Sequence, residues 1–245
     1  MPKEFKVPSR KQPIFKVFKK ILSWTFWRGI KVTVLPDKLP NKCIFVSNHY
    51  AKKGPIAYEL AIPVFNVKWG AHEMLGNYKS RYRYLKYVFY MQKQGMSKTK
   101  ATIKATFEAI FSKMIYKGLK IIGTYQDTRL RTTLNNSIKV LEDDKAILIF
   151  PEDSNKGYFD EMTSFFGGFV MLSELYYKKH KEDLPIYPIY YSHKLRKMVI
   201  GHPLYVQDFV KQGLNRDEIA EKYKIAVNEL YYKYFKKINN VEINI

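Results

Sequence analysis

A chain of 245 residues, 46% of them hydrophobic, can bury one sizeable core and is read as a single large domain. Its 43 basic against 22 acidic residues give a formal charge of +21, which excludes a neutral surface and points to nucleic acid, a membrane surface or an anionic substrate; the abundance of Lys, Tyr, Ile and Asn means that composition alone accounts for part of the excess. The single cysteine, Cys43, excludes an intrachain disulfide and favours an intracellular setting.

No run of about 18 apolar residues is present, so no simple spanning helix is expected. From residue 14 onward, helical spacing places Ile14, Phe15, Val17, Phe18, Ile21 and Leu22 on one face and Lys16, Lys19 and Lys20 on the other, with Trp24, Phe26 and Trp27 following. Aromatic rings beside a basic amphipathic helix suit the headgroup level of an anionic membrane. Residues 1–30 are therefore read as an interfacial helix, with a core-packing helix and solvated lysines as the competing reading. The lysines interrupt any apolar central segment, so a signal peptide is not expected.

Beyond residue 30 the pattern alternates. Strands are expected at Lys31 to Leu35, Cys43 to Ser47, Leu119 to Ile122, Ala146 to Phe150, Ile186 to Tyr191 and Lys197 to Ile200. Helical periods lie between them: Ile103, Phe107, Ile110, Phe111, Met114 and Ile115, then Thr132 to Leu141, Phe166 to Lys179 and Asn215 to Lys237. Tyr78 to Lys100 reads either as a loop over a site or as a surface helix. Such alternation implies an α/β domain over residues 31–245, with a mixed, largely parallel sheet flanked by helices.

Two of the expected strands end on chemistry. The run Cys43-Ile44-Phe45-Val46 stops at Ser47-Asn48-His49, and Ala146 to Phe150 runs into Pro151-Glu152-Asp153-Ser154. An imidazole at an open strand end is where a general base would sit, although a histidine there is more often structural. The two glycines Gly167 and Gly168 suit a turn or a close backbone approach.

Residues 43 to 206 resemble the glycerolipid acyltransferases, the family that includes lysophosphatidic acid acyltransferase. Its first block, Asn-His-x-x-x-x-Asp, is similar to Asn48-His49-Tyr50-Ala51-Lys52-Lys53-Gly54, with Gly54 in place of the Asp. Its second, a Gly followed six residues later by Arg, resembles Gly123 to Arg129. The third, Phe-Pro-Glu-Gly-Thr-Arg, resembles Phe150-Pro151-Glu152-Asp153-Ser154-Asn155. Leu184-Pro185-Ile186-Tyr187-Pro188-Ile189 resembles the fourth, and Ile200-Gly201-His202-Pro203-Leu204 the family's final strand and turn.

The resemblance implies a membrane-associated O-acyltransferase of phospholipid biosynthesis. An acyl-carrier protein, coenzyme A or acyl phosphate would donate, and the hydroxyl of a lysophospholipid such as 1-acyl-glycerol-3-phosphate would accept. No cofactor and no metal are implied, and the location would be cytoplasmic, peripheral on the inner membrane face. His49 would be the base, with Asn48 and Glu152 as catalytic companions. Arg129, with Arg131 in reserve, would fork the acceptor phosphate; Gly54, Pro151, Asp153 and Ser154 would line the substrate. Asn48 could instead fix the strand edge or donate to the site, although an Asn there more often forms a turn. Since Gly54 cannot orient an imidazole, a backbone carbonyl, Glu59, Glu73 or Asp153 must replace the family's Asp, or the enzyme is slow or inactive. A lipid-binding member without catalysis is the first alternative. A nucleic-acid-binding protein is the second, but the sequence carries neither zinc-ligand spacing nor an aromatic RNA-binding signature, so no nucleic-acid partner is expected.

Overall fold

The computed structural model describes residues 5–9, 15, 17, 19–20, 24, 29–50, 53–125, 127–153 and 159–236. Much of the expected helix over residues 1–30, and Ser154 with Asn155 of the third block, lie outside the described residues. Phe15, Val17, Lys19, Lys20 and Trp24 have helical backbone.

Among the described residues seven strands form one sheet: β1 (Lys31–Val34), β2 (Ile44–Ser47), β3 (Asn66–Ala71), β4 (Ile121–Thr124), β5 (Ala146–Ile149), β6 (Ile186–Ser192) and β7 (Lys197–Ile200). Their order is β1-β7-β6-β2-β5-β3-β4. Strands β2 to β6 are mutually parallel, β7 runs antiparallel to β6, and β1 pairs in parallel with β7. The domain is thus α/β with a mixed, largely parallel sheet. β2 and β5 are buried along their whole length, which is why they read as unbroken apolar runs, whereas the edge strand β1 is mostly exposed.

Helices cover both faces. They are α1 (Lys53–Ala61), α2 (Tyr78–Arg83) with the π-helical turns Tyr84–Gln92, α3 (Lys98–Gly118), α4 (Leu130–Glu142), α5 (Gly168–His180), α6 (Val206–Lys211) and α7 (Arg216–Tyr231). Alternation along β2 splits the core: Ile44 and Val46 pack with Leu134, Phe169 and Tyr223, while Cys43 and Phe45 pack with Ala57, Tyr58 and Ile62. α7 opens with a capping box, Asn215 and Glu218 each accepting from the other's backbone N–H.

Three features depart from the sequence reading. Strand β3 is not visible in the sequence because Asn66, Lys68 and Gly70 interrupt its apolar pattern, yet Asn66 and Lys68 are buried. α1 is not among the expected helices; its proline, Pro55, is tolerated in the first helical turn. The segment Tyr78 to Lys100, read as a loop or a surface helix, is mainly helical and packs against α3 around Met74, Leu85, Phe89 and Tyr90. Buried Arg81 fastens this insert: its guanidinium donates to the Ala109 carbonyl (3.1 and 3.0 Å) and to Ser112 Oγ (3.2 Å).

Candidate active site

Parallel strands deliver their carboxyl ends to one edge of the sheet, where α/β proteins characteristically bind ligands. The register fixes what meets there. Val46 lies opposite Ile149, an offset of 149 − 46 = 103, and the same offset carries His49 to Glu152. The structure makes this contact: the His49 backbone N–H donates to Glu152 Oε2 at 3.2 Å. The His49 ring stands edge-on to Phe150 at 4.8 Å between centroids. The two strand ends singled out by the sequence are therefore neighbours in space.

The floor of the site is a buried polar network. Asn48 mimics a peptide unit toward β6, its Nδ2 donating to the Tyr191 carbonyl (2.9 Å) and its Oδ1 accepting from the Tyr191 N–H (2.9 Å). This pair of bonds fixes the strand edge, one of the roles open to Asn48, and engages both atoms of its amide. Ser47 Oγ donates to the Ile189 carbonyl at 2.9 Å and is hydrogen-bonded to Tyr58 Oη, which also donates to Asn48 Oδ1 at 2.9 Å. Burial drives the Tyr58 phenol well above its usual range, so it serves as a neutral donor.

Gly54 permits a close packing beside His49. A Cβ there would lie 1.9 Å from the His49 carbonyl oxygen, and the Gly54 N–H reaches the Tyr50 carbonyl at 3.3 Å. Tyr50 itself adopts a left-handed φ of 44° to let the chain turn into α1. Of the carboxylates expected to replace the family's Asp, Glu59 is bound by Lys19, Lys68 and Lys120, and Glu73 pairs with His72 at 3.3 Å. Both are committed elsewhere. Asp153 follows Glu152 directly and lies within electrostatic reach of Lys93.

Glu152 is 7% exposed, and burial raises its carboxyl to about 6 against the relief of N–H donation from His49 and Phe159. Lys93, which ends the insert, lies within electrostatic reach of Asp153, Glu73 and Glu152; burial pulls its ammonium down while those carboxylates support it. Nothing in the sequence marks Lys93, because only the packing of the insert brings it to the strand ends. A second missed group, His193, sits just past β6 with its ring 5.9 Å from Tyr50 and its Nδ1 3.0 Å from Tyr191 Oη. Its signal was present in the sequence, a histidine directly after an apolar strand.

Arg129 has a local partner. Its guanidinium is forked onto Asp127, with Nε 3.0 Å from both carboxylate oxygens and Nη2 2.6 Å from Oδ2, and it lies over the Tyr125 ring at 4.5 Å. The fork is thus occupied by a local carboxylate rather than held open for phosphate. His72 stacks against the other ring neighbour of this group, Tyr125, at 4.3 Å. Arg131, in the first turn of α4, is exposed, and Pro151 is buried. A groove on the insert, lined by Lys79, Arg83 and Tyr87 among others, shares Glu73 with this edge. Among the described residues no cluster of metal-ligating side chains occurs.

Comparison with known proteins yields little by sequence: no family model and no curated protein matches the chain. Among solved structures it is similar to the crystal structure of the 1-acyl-sn-glycerophosphate (LPA) acyltransferase PlsC from Thermotoga maritima, at 14% identity and a TM-score of 0.49, with 91% of this chain and 80% of that chain covered. A likeness at that identity and score transfers neither an activity nor any residue's role.

Proposed function

We propose that the protein is an acyltransferase that moves an acyl group from an activated donor to the hydroxyl of a lysophospholipid. The observation that supports this best is the adjacency of His49 and Glu152 at the carboxyl ends of β2 and β5, two motif residues 103 positions apart that the strand register brings side by side. The reaction needs a base for the acceptor hydroxyl. His49 would take that proton as the oxygen attacks the donor's carbonyl carbon; the carbon–sulfur bond of a thioester, or the carbon–oxygen bond of an acyl phosphate, then breaks, and the imidazolium returns the proton to the leaving group. Glu152, accepting from the His49 backbone N–H, would hold the residue at the strand end. Lys93 and, once released from Asp127, Arg129 are the cations near enough to this edge to meet an acceptor phosphate.

A lipid-binding protein without catalysis is the second reading. It is favoured by Gly54 and by the commitment of Glu59 and Glu73 to other partners, which leave Asp153 or a backbone carbonyl to orient the ring. Acyl transfer from acyl-carrier protein, acyl-coenzyme A and acyl phosphate to labelled lysophosphatidate separates the two. A positioned base contributes about 10²–10⁴ in rate, so His49→Ala should lower kcat by that range with the fold intact. A loss within about threefold removes His49 from the mechanism.

A further inference from the structure

The outward face of α3 carries that helix's largest apolar side chains. Ile103, Phe107, Ile110, Phe111 and Met114 are 48% to 64% exposed, whereas Ala101, Ala105, Ala109 and Ser112 face the insert. The apolar period at steps of three and four, which marks the helix in the sequence, therefore points largely to solvent. Small residues form the packed side because Arg81 and the π-helical turns approach α3 closely. Five large apolar groups along three turns make one continuous exposed stripe, more than scattered surface residues account for.

Charge surrounds it with one sign. Lys98, Lys100, Lys104, Lys113 and Lys117 are exposed, and the helix's single carboxylate, Glu108, is held by Tyr90 Oη. At about 100° per residue, Lys104 and Lys113 fall on opposite sides of the stripe. Near the C-terminal end of α3, Phe15 seats against Gly118, where a Cβ would overlap its ring at 2.0 Å. Val17 and Trp24, from the same segment as Phe15, are 64% and 74% exposed.

We propose that the outer face of α3 is a lipid-docking surface that lies in the interface of an anionic bilayer. Its rings and aliphatic chains enter the acyl-chain boundary, and its lysines meet the headgroup phosphates. A second copy of the chain is the poorer occupant, because a two-fold pairing through this face would set one lysine rim against another. The surface deepens the acyltransferase reading by assigning where the protein meets the bilayer that holds its acceptor. It also places the membrane contact on the domain itself, beyond the residue 1–30 segment.

The test uses the full chain with vesicles of phosphatidylglycerol and phosphatidylcholine, and of phosphatidylcholine alone. Phe107→Ser/Phe111→Ser should weaken co-sedimentation with anionic vesicles by more than about tenfold, and Lys104→Gln/Lys113→Gln should weaken it severalfold on anionic vesicles only. These sites are exposed, so circular dichroism should be unchanged; Ile110→Ser provides an independent variant should the double one misfold. Unchanged vesicle binding in all three overturns the proposal. So does sedimentation velocity showing a parent dimer that Phe107→Ser/Phe111→Ser dissociates while vesicle binding persists. Transfer to a short-chain lysophosphatidate dissolved as monomers reads the active site separately. Retained soluble activity with lost vesicle binding supports the surface, and stripe-dependent vesicle binding in a parent without transferase activity upholds the surface while sinking the acyltransferase reading.

Discussion

Glu59 and Glu152 are equally buried, each 7% exposed, yet burial has opposite consequences for them. Glu59, near the end of α1, faces three ammonium groups, those of Lys19, Lys68 and Lys120. Burial would raise its carboxyl, but Lys68 and Lys120 outweigh that and hold it at about 2. Glu152, at the strand ends, has backbone N–H donors and a more distant Lys93, so burial prevails and its carboxyl stands near 6. The difference is one of compensation: Glu59 is neutralised by its ammonium partners, whereas Glu152 is not, and an under-compensated carboxylate near an imidazole is the kind of group the proposed site would use.

The largest effect expected from this contrast is at Glu59. Glu59→Gln would leave Lys68, fully buried, and Lys120 without their anion, at a cost of about 3–5 kcal/mol in urea unfolding at pH 7. The pH dependence has a definite sign. Because the folded carboxyl lies below its ordinary 4.5, the stabilisation is complete above that value and is lost as pH falls toward about 2. Parent and Glu59→Gln stabilities should therefore converge in acid; a constant gap from pH 7 to pH 3 would show that the charge is not what Glu59 contributes.

α1 links the two carboxylates, since it starts against His49 and carries Glu59 near its other end. A Cβ at Gly54 would meet backbone at 1.9 Å, which no rotamer change relieves. Gly54→Ala and Gly54→Asp should both destabilise by about 3 kcal/mol, the upper part of the overpacking range, and both should lower activity. Restoring the family's Asp at this position therefore should not improve turnover. A gain of activity in Gly54→Asp would mean that the helix can retreat and that the ring lacks an orienting group.

Glu152→Gln probes the other carboxylate. A folded value near 6 against 4.5 means that Glu152 contributes stability in acid and loses it as pH rises through about 6, so its charge costs the fold about 2 kcal/mol at pH 8. Glu152→Gln should be more stable than the parent by about that amount at pH 8, equal to it near pH 4, and slower in acyl transfer. Higher stability bought with lower activity would place Glu152 in the site; a stability loss at pH 8 would make it a second scaffold charge.

The contrast also sets what could be read from sequence. The central strands were legible because burial on both faces leaves an unbroken apolar run, and His49 and Glu152 were legible because each ends such a run. β3 was not, since Lys68 sits where an apolar residue would be expected, and what makes that tolerable is the carboxylate of Glu59, from another element, together with the Asn66 side chain. Nor was the orientation of α3: its period gives a face, and what that face meets depends on packing against the insert. Lys93 carries no local pattern at all, and sequence spacing does not reveal that Asp127, two residues before Arg129, folds back onto its guanidinium.

The smallest expected effect concerns that exposed pair, the opposite extreme from the Glu59 cluster. Arg129 and Asp127 are 57% and 50% exposed, so solvent and salt screen them and their pairing adds little to the fold. Asp127 nevertheless occupies the guanidinium fork that a phosphate would need, and a bound acceptor must displace it. Asp127→Asn should then lower the acceptor KM a few-fold by leaving the fork open, whereas Arg129→Lys, which keeps the charge but not the fork, should raise it a few-fold with the donor KM unchanged. The opposed directions are the test, since a pair that merely steadied the loop would shift KM the same way when either partner is altered. If Arg131→Ala raises the acceptor KM and Arg129→Lys does not, the phosphate contact belongs to the first turn of α4, and the Asp127–Arg129 pair is a local clasp.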